Sequence, residues 1–216
     1  MPGIVIVTLF SILALKERRR RQAIEESLRK EGWKFLARPD LDAAKTELRL
    51  DESIHDWLGW RASGQIEWLA VKEEAILYAH SWVVSRGKSS QEFWRTGFLT
   101  IDPDLPDLAG LTLFRPKWLQ SKRLRDLTVP LVDREMAEHW AATTSHPRGL
   151  AIALGRSSRG ESWCFGRGCV AGEYDRRASF AEIQLLLDKE KLLRRCLRDI
   201  SLTEAEGRSM HDHVEA

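Results

Sequence analysis

The first fifteen residues of this chain, Met1 to Leu15, carry no charge, and they run straight into Lys16-Glu17-Arg18-Arg19-Arg20-Arg21. As a helix the uncharged run rises about 22 Å, against roughly 30 Å for the hydrocarbon core of a bilayer. Ile4, Val5, Ile6, Val7, Leu9, Phe10, Ile12, Leu13 and Leu15 cover every side of such a helix, so it lacks the polar stripe that a helix resting on a soluble core keeps. Thr8 and Ser11 interrupt it only mildly, because their hydroxyls can bond back to the helix backbone. A secretory signal places its charge before the apolar run and small residues after it, which is the reverse of this order. The expectation is therefore a single-pass membrane anchor over residues 1–15. Local bilayer thinning, or outward reach of Lys16 and Arg18, makes up the missing length.

The basic collar sets the orientation, since flanks rich in Lys and Arg stay on the cytoplasmic side. Lys16, Arg18, Arg19, Arg20 and Arg21 are the candidate membrane-surface residues, each drawn to anionic lipid head groups by about 1 kcal/mol near the surface. Residues 16–31 read as a basic helical stalk that stops at Gly32. Of the net charge of +2, this stalk holds +3, which leaves −1 for residues 32–216. The body thus lacks the positive field on which nucleic-acid binding relies, and no nucleic-acid partner is expected. Its three cysteines, Cys164, Cys169 and Cys196, are too few for a disulfide framework and suit a reducing cytoplasm. Four residues separate Cys164 from Cys169 and no second pair follows, so no zinc site is expected, nor any other metal or cofactor.

The body, residues 32–202, reads as one α+β domain: an antiparallel meander sheet packed by helices. Trp33 to Ala37 is a short strand stopped by Arg38-Pro39, and Asp40 then caps a helix through Leu48, with a second helix over Ser53 to Trp57. Gln65 to Lys72, Ala75 to Ser85 and Gln91 to Ile101 form three strands joined by tight turns at Glu73-Glu74 and Arg86 to Ser89. In the middle strand Ile76, Tyr78, His80, Trp82 and Val84 share one side, while Ala75, Leu77, Ala79, Ser81 and Val83 share the other. Leu111 to Phe114 adds a strand after the Pro103 to Pro106 break, Asp133 caps a helix holding Met136 and Trp140, and Ser162 to Ala171 reads as a last hairpin or a strand. Ser179 opens a long helix in which Phe180, Ile183, Leu186, Leu187, Leu193, Leu197 and Ile200 recur at helical spacing. Residues 203–216 are polar and read as a flexible tail.

Motifs that carry chemistry are few. Gly87-Lys88-Ser89 has Trp82 where a phosphate-binding loop needs glycine, so it reads as a polar turn. Gly166-Arg167-Gly168 is followed by Glu173-Tyr174-Asp175 instead of a helix, which suits a bent strand better than a dinucleotide loop. His139, His146, His211 and His213 show no ligand spacing. His80, Trp82 and Trp94 are the candidate pocket, weighed against plain burial of a histidine and of a tryptophan-rich core. The short apolar N-terminus, the basic helix, Glu31-Gly32-Trp33-Lys34-Phe35, and a strand-rich domain with Trp94 and Pro103 to Pro106 resemble a class of bacterial single-pass membrane-anchored proteins of unknown function. That resemblance covers about two-thirds of the chain, and it implies a topology without an activity. The leading expectation is a membrane-anchored cytoplasmic scaffold or interaction domain, whose partners are an anionic bilayer and a protein. The alternative is a membrane-surface enzyme with a pocket lined by His80, Trp82 and acids such as Glu67 or Glu92.

Overall fold

A computed structural model describes residues 2–40, 64–87, 89–106, 108, 110–115, 128–166 and 168–212. Helix α1 runs unbroken over Pro2–Lys30, through the uncharged segment, the collar and the stalk. It ends in a left-handed turn at Gly32, whose φ is +84°, a conformation that glycine adopts without a Cβ penalty. Gly32 N–H donates to Arg29 O and Trp33 N–H donates to Leu28 O, each at 3.0 Å. This is the Schellman pair that satisfies a helix's last carbonyls, and it brings Trp33 against Leu28 in the core.

Strands β1 (Lys34–Ala37), β2 (Gly64–Lys72), β3 (Ala75–Arg86) and β4 (Ser89–Ile101) follow as an antiparallel meander. The helices expected over 41–48 and 53–57 lie outside the described residues, as do Trp57 and Trp60. After β4 the chain leaves the meander. Strand β5 (Thr112–Phe114), the two-residue β6 (Ala141–Ala142), β7 (Glu161–Gly166) and β8 (Cys169–Tyr174) build the other half, giving the order β1-β2-β3-β4-β8-β7-β5-β6 in one eight-stranded antiparallel sheet. Leu111 to Phe114 was expected to extend the meander, but it is β8 that pairs with β4, over Thr96 to Ile101.

The helices cover one face. Ile24 and Leu28 of α1, Leu150 and Leu154 of α2 (Leu150–Leu154), and Ile183, Leu186, Leu193 and Leu197 of α3 (Phe180–Asp212) share one buried cluster with Phe35, Trp68, Leu77, Phe98 and Trp163 of the sheet. Burying each such side chain contributes about 1.5–3 kcal/mol. A smaller cluster, Ile66, Leu69, Ile76, Tyr78, Leu99, Cys169 and Ala171, lies on the opposite face.

The structure bears on three segments singled out by the sequence. No helix among the described residues is long and apolar enough to cross a membrane, because α1 turns charged at Lys16, well short of the roughly 20 apolar residues that a span needs. Residues 16–30, expected as a helical stalk, are helical, and Ile24 and Leu28 pack them against the domain. The backbone of residues 203–212, expected as part of a flexible tail, continues α3 to Asp212.

Capping shows where local and long-range chemistry part. Ser179 and Glu182 close a capping box at the start of α3: Glu182 N–H donates to Ser179 Oγ at 3.4 Å, and Ser179 N–H donates to Glu182 Oε2 at 2.7 Å. Asp133 makes no such bond to the one-turn 3-10 helix Arg134–Met136 that follows it. Its carboxylate accepts instead from Gly149 N–H at 2.9 Å and Ala151 N–H at 3.3 Å, at the start of α2.

One buried ion pair joins α3 to the second half of the sheet. Lys189 Nζ lies 2.7 and 2.9 Å from the two Glu161 carboxylate oxygens and also donates to Arg156 O at 2.9 Å. Trp163 Nε1–H at 2.9 Å and Ser158 N–H at 2.6 Å complete the shell of Glu161, whose side chain is fully buried. Removing one partner of such a pair strands the other charge. Lys189→Ala is therefore expected to lower unfolding free energy by about 3–5 kcal/mol, and Lys189→Ala with Glu161→Gln by less than the sum of the two single changes. Urea denaturation of the three variants measures both effects.

Candidate functional site

The basic collar is only partly in solvent: Lys16, Arg18 and Arg19 are exposed, whereas Arg20 and Arg21 are half-buried. Glu17, Arg20, Ile24 and Leu28 recur at three- and four-residue spacing, so the helix turn that buries the two apolar residues carries Glu17 and Arg20 to the same side. There Arg20 Nη1 pairs with Glu17 at 3.1 Å, and its Nη2 donates to Ala178 O in the connection between β8 and α3. Arg177 from that connection pairs with Glu17 at 3.0 Å and Glu92 at 3.5 Å. Its guanidinium stands 3.4 Å from the ring centre of Trp94, a cation–π contact. Thr96 of β4 holds the connection in place: its Oγ1 donates to Arg176 O at 3.0 Å and accepts from Ala178 N–H at 3.1 Å.

Between these elements lies a cavity of about 220 Å³. Trp68, Ala79, Trp94 and Thr96 line it from the sheet, and Arg18, Arg20, Arg21, Arg38, Arg177, Glu17 and Glu67 add five guanidinium groups against two carboxylates. Glu67 is engaged by Ser81 Oγ–H at 3.0 Å and by Arg38 at 3.7 Å. Arg38 itself sits at φ +46°, in the left-handed region that side chains with a Cβ seldom occupy. Arg18 and Arg21 make neither an ion pair nor a hydrogen bond among the described residues. Lys16 and Arg19 are exposed and do not line the cavity.

The three residues expected to form one pocket are split between the two faces of the sheet. His80 and Trp82 stack with ring centres 5.4 Å apart, Trp82 stacks on Phe93 at 5.7 Å, and Arg95 approaches Trp82 at 5.7 Å. Trp94 pairs in register with Ser81, one residue out of step with that row, and it lines the arginine cavity on the helix side. Alternation along a strand makes the separation unavoidable. Glu67 and Glu92 lie toward the arginine side, in ion pairs with Arg38 and Arg177, and do not face His80.

The face that carries His80 also holds a buried polar row. Glu173 accepts from Ser162 Oγ–H at 3.2 Å and Tyr78 Oη–H at 3.5 Å, and it pairs with Arg95 at 3.3 Å. Gly97 stands between Tyr78 and Glu173 in the register; a Cβ there would come within 2.8 Å of the Tyr78 hydroxyl, so only glycine lets the ring cross the strand. Burial pushes the Glu173 carboxyl above its ordinary range, with Arg95 pulling back. Burial likewise raises Tyr78 well above 10 and Cys164 to about 11. A thiol held that high is a poor nucleophile, and the row acts as a structural network within the sheet. Among the described residues no group of three or more His, Cys, Asp and Glu is placed to hold a metal ion. A shallower groove of about 570 Å³ runs beside α3, lined by Pro147, Arg148, Leu192, Arg195, Cys196, Asp199 and Ile200.

No family model matches this chain, and neither a curated protein nor a solved structure matches it.

Sequence reasoning picked out Arg18, Arg20, Arg21 and Trp94 but missed Arg38, Arg177 and Thr96. The doublet Arg176-Arg177 just ahead of the Ser179 cap was the available signal for one of them. Nothing local pointed to Arg38.

The raised Glu173 carboxyl has a consequence for stability. A folded-state pKa above the ordinary 4.5 means that the native protein holds this proton more tightly than the unfolded chain does. Its contribution is complete below that value and is lost as pH rises through the folded pKa. Urea melts across the weakly acidic range are expected to show stability falling with pH, and Glu173→Gln is expected to flatten that segment of the curve.

Proposed function

We propose that this chain is a membrane-held interaction module. Its α+β domain faces the cytoplasm as a scaffold, and α1 fixes it to the bilayer by inserting its uncharged N-terminal half without crossing. The observation that carries this reading is the continuity of α1. One helix links the uncharged residues 2–15 to Ile24 and Leu28 in the domain core, so whatever holds the first half holds the whole domain.

Chemistry at the junction supports it. Leu15 is 54% exposed at the edge of the collar, where a soluble helix would place a polar residue, and Lys16, Arg18 and Arg19 are exposed beside it. Such a sequence partitions into a leaflet by its apolar half and meets anionic head groups with its basic half. The cytoplasmic leaflet carries that negative charge, and the unpaired Cys164, Cys169 and Cys196 suit the same compartment.

The test uses the full chain with a reporter fused after Ala216. Substituting Val7→Asp and Leu13→Asp in α1 places two charges in the apolar half, each costing about 2.5–3.5 kcal/mol at hydrocarbon depth. Membrane recovery after a high-salt wash is expected to collapse in the double variant and to persist in the parent. Equal recovery of the two would overturn the reading.

A further inference from the structure

We infer that the arginine cavity is a receptor for the phosphomonoester of an anionic lipid head group, so that the collar recognises lipid instead of merely being attracted to a charged surface. This inference rests on the membrane-held reading and adds a ligand to it.

Charge, size and position converge on that ligand. Five guanidinium groups against two carboxylates leave the cavity positive in a chain whose whole net charge is +2. Arg20, Arg38 and Arg177 are already committed to carboxylates or carbonyls, whereas Arg18 and Arg21 have no partner among the described residues. Two planar forks, three residues apart on one helix, can each take a phosphate in bidentate fashion. A volume of about 220 Å³ falls below the roughly 300–1,000 Å³ of sites for whole small molecules. It admits a head-group phosphate with its glycerol link, and the Trp68 and Ala79 floor suits the carbon of that link.

Position decides between a lipid and a free phosphate. Arg18 lies three residues beyond Leu15, about 4.5 Å along the helix axis, so a helix embedded to Leu15 brings the cavity to the depth of the head groups. The left-handed Arg38 among the lining residues is in keeping with a built site, since unfavourable backbone conformations persist where the surrounding structure over-determines them.

The experiment measures partitioning of the full chain onto three kinds of vesicle: phosphatidylcholine alone, phosphatidylcholine with phosphatidic acid, and phosphatidylcholine with an anionic lipid that exposes no phosphomonoester, matched in surface charge. Binding to phosphatidylcholine alone reads the α1 anchor, and loss of that binding counts against the membrane-held reading. The gain on phosphatidic acid over the charge-matched vesicle reads the cavity. Arg18→Gln with Arg21→Gln is expected to abolish the preference for phosphatidic acid over the charge-matched vesicle, while leaving phosphatidylcholine binding unchanged; the roughly 30-fold loss that two charges alone bring falls on both anionic vesicles. The control, Lys16→Gln with Arg19→Gln, removes equal charge outside the cavity and is expected to keep the preference. If both double variants lose it equally, or if the parent shows none, the cavity is no receptor and the inference falls. Protection of the chain against thermal unfolding by inorganic phosphate or a phosphopeptide, without a vesicle preference, overturns the lipid assignment in favour of a soluble phosphate ligand. Both side chains lack partners among the described residues, so both variants are expected to retain the parent's circular dichroism.

Discussion

Burial of Ile24 and Leu28 is the contact on which the rest of the site depends. An α-helix is a rigid angular ruler, and once these two side chains are sunk in the core its phase is fixed for several turns in either direction. Arg20 and Glu17, one and two turns back, then have no choice but to meet the connection that carries Arg177. The Schellman turn at Gly32 fixes the other end, setting where β1 starts and so where Arg38 arrives. Loss of either apolar contact would free the ruler to roll, and the guanidinium groups would disperse over the surface.

Two-residue alternation imposes an equally strict division on the sheet. Aromatic side chains crowd β2, β3 and β4, yet adjacent residues such as Phe93 and Trp94 point to opposite faces and so serve different purposes. His80, Trp82 and Phe93 form a stacked row on one side, next to the buried Glu173 network. Trp68 and Trp94 form the floor of a basic cavity on the other. Proximity along the chain is a poor guide to partnership in a strand.

Much of the framework was legible in the sequence because it is written locally. Gly32 after a charged helix end, the two acids at the β2–β3 turn, the Ser179 and Glu182 box, and the apolar spacing of α3 each specify a short stretch without help from elsewhere. What resisted reading depends on distant partners. Nothing near Leu111 to Phe114 says that β8 will take the place beside β4, because that choice is made by the packing of Trp163, Phe98 and Leu113 in one cluster. Arg177 is an ordinary surface arginine until α1 docks against it. The uncharged N-terminus was read correctly as a helix but assigned more reach than its length allows, since apolar composition and crossing length are separate requirements.

Asp133 illustrates how the same chain economises on local signals. Helix α2 has five residues and is preceded at its cap position by Gly149, which offers no side chain to hold the exposed amides. The carboxylate that does so arrives from sixteen residues upstream. A segment so short gains little from coiling by itself, so its first amides rely on the carboxylate that Asp133 brings across the loop. One carboxylate thus closes residues 133–151 into a loop, and the first turn of the short helix takes its cap from outside its own sequence neighbourhood.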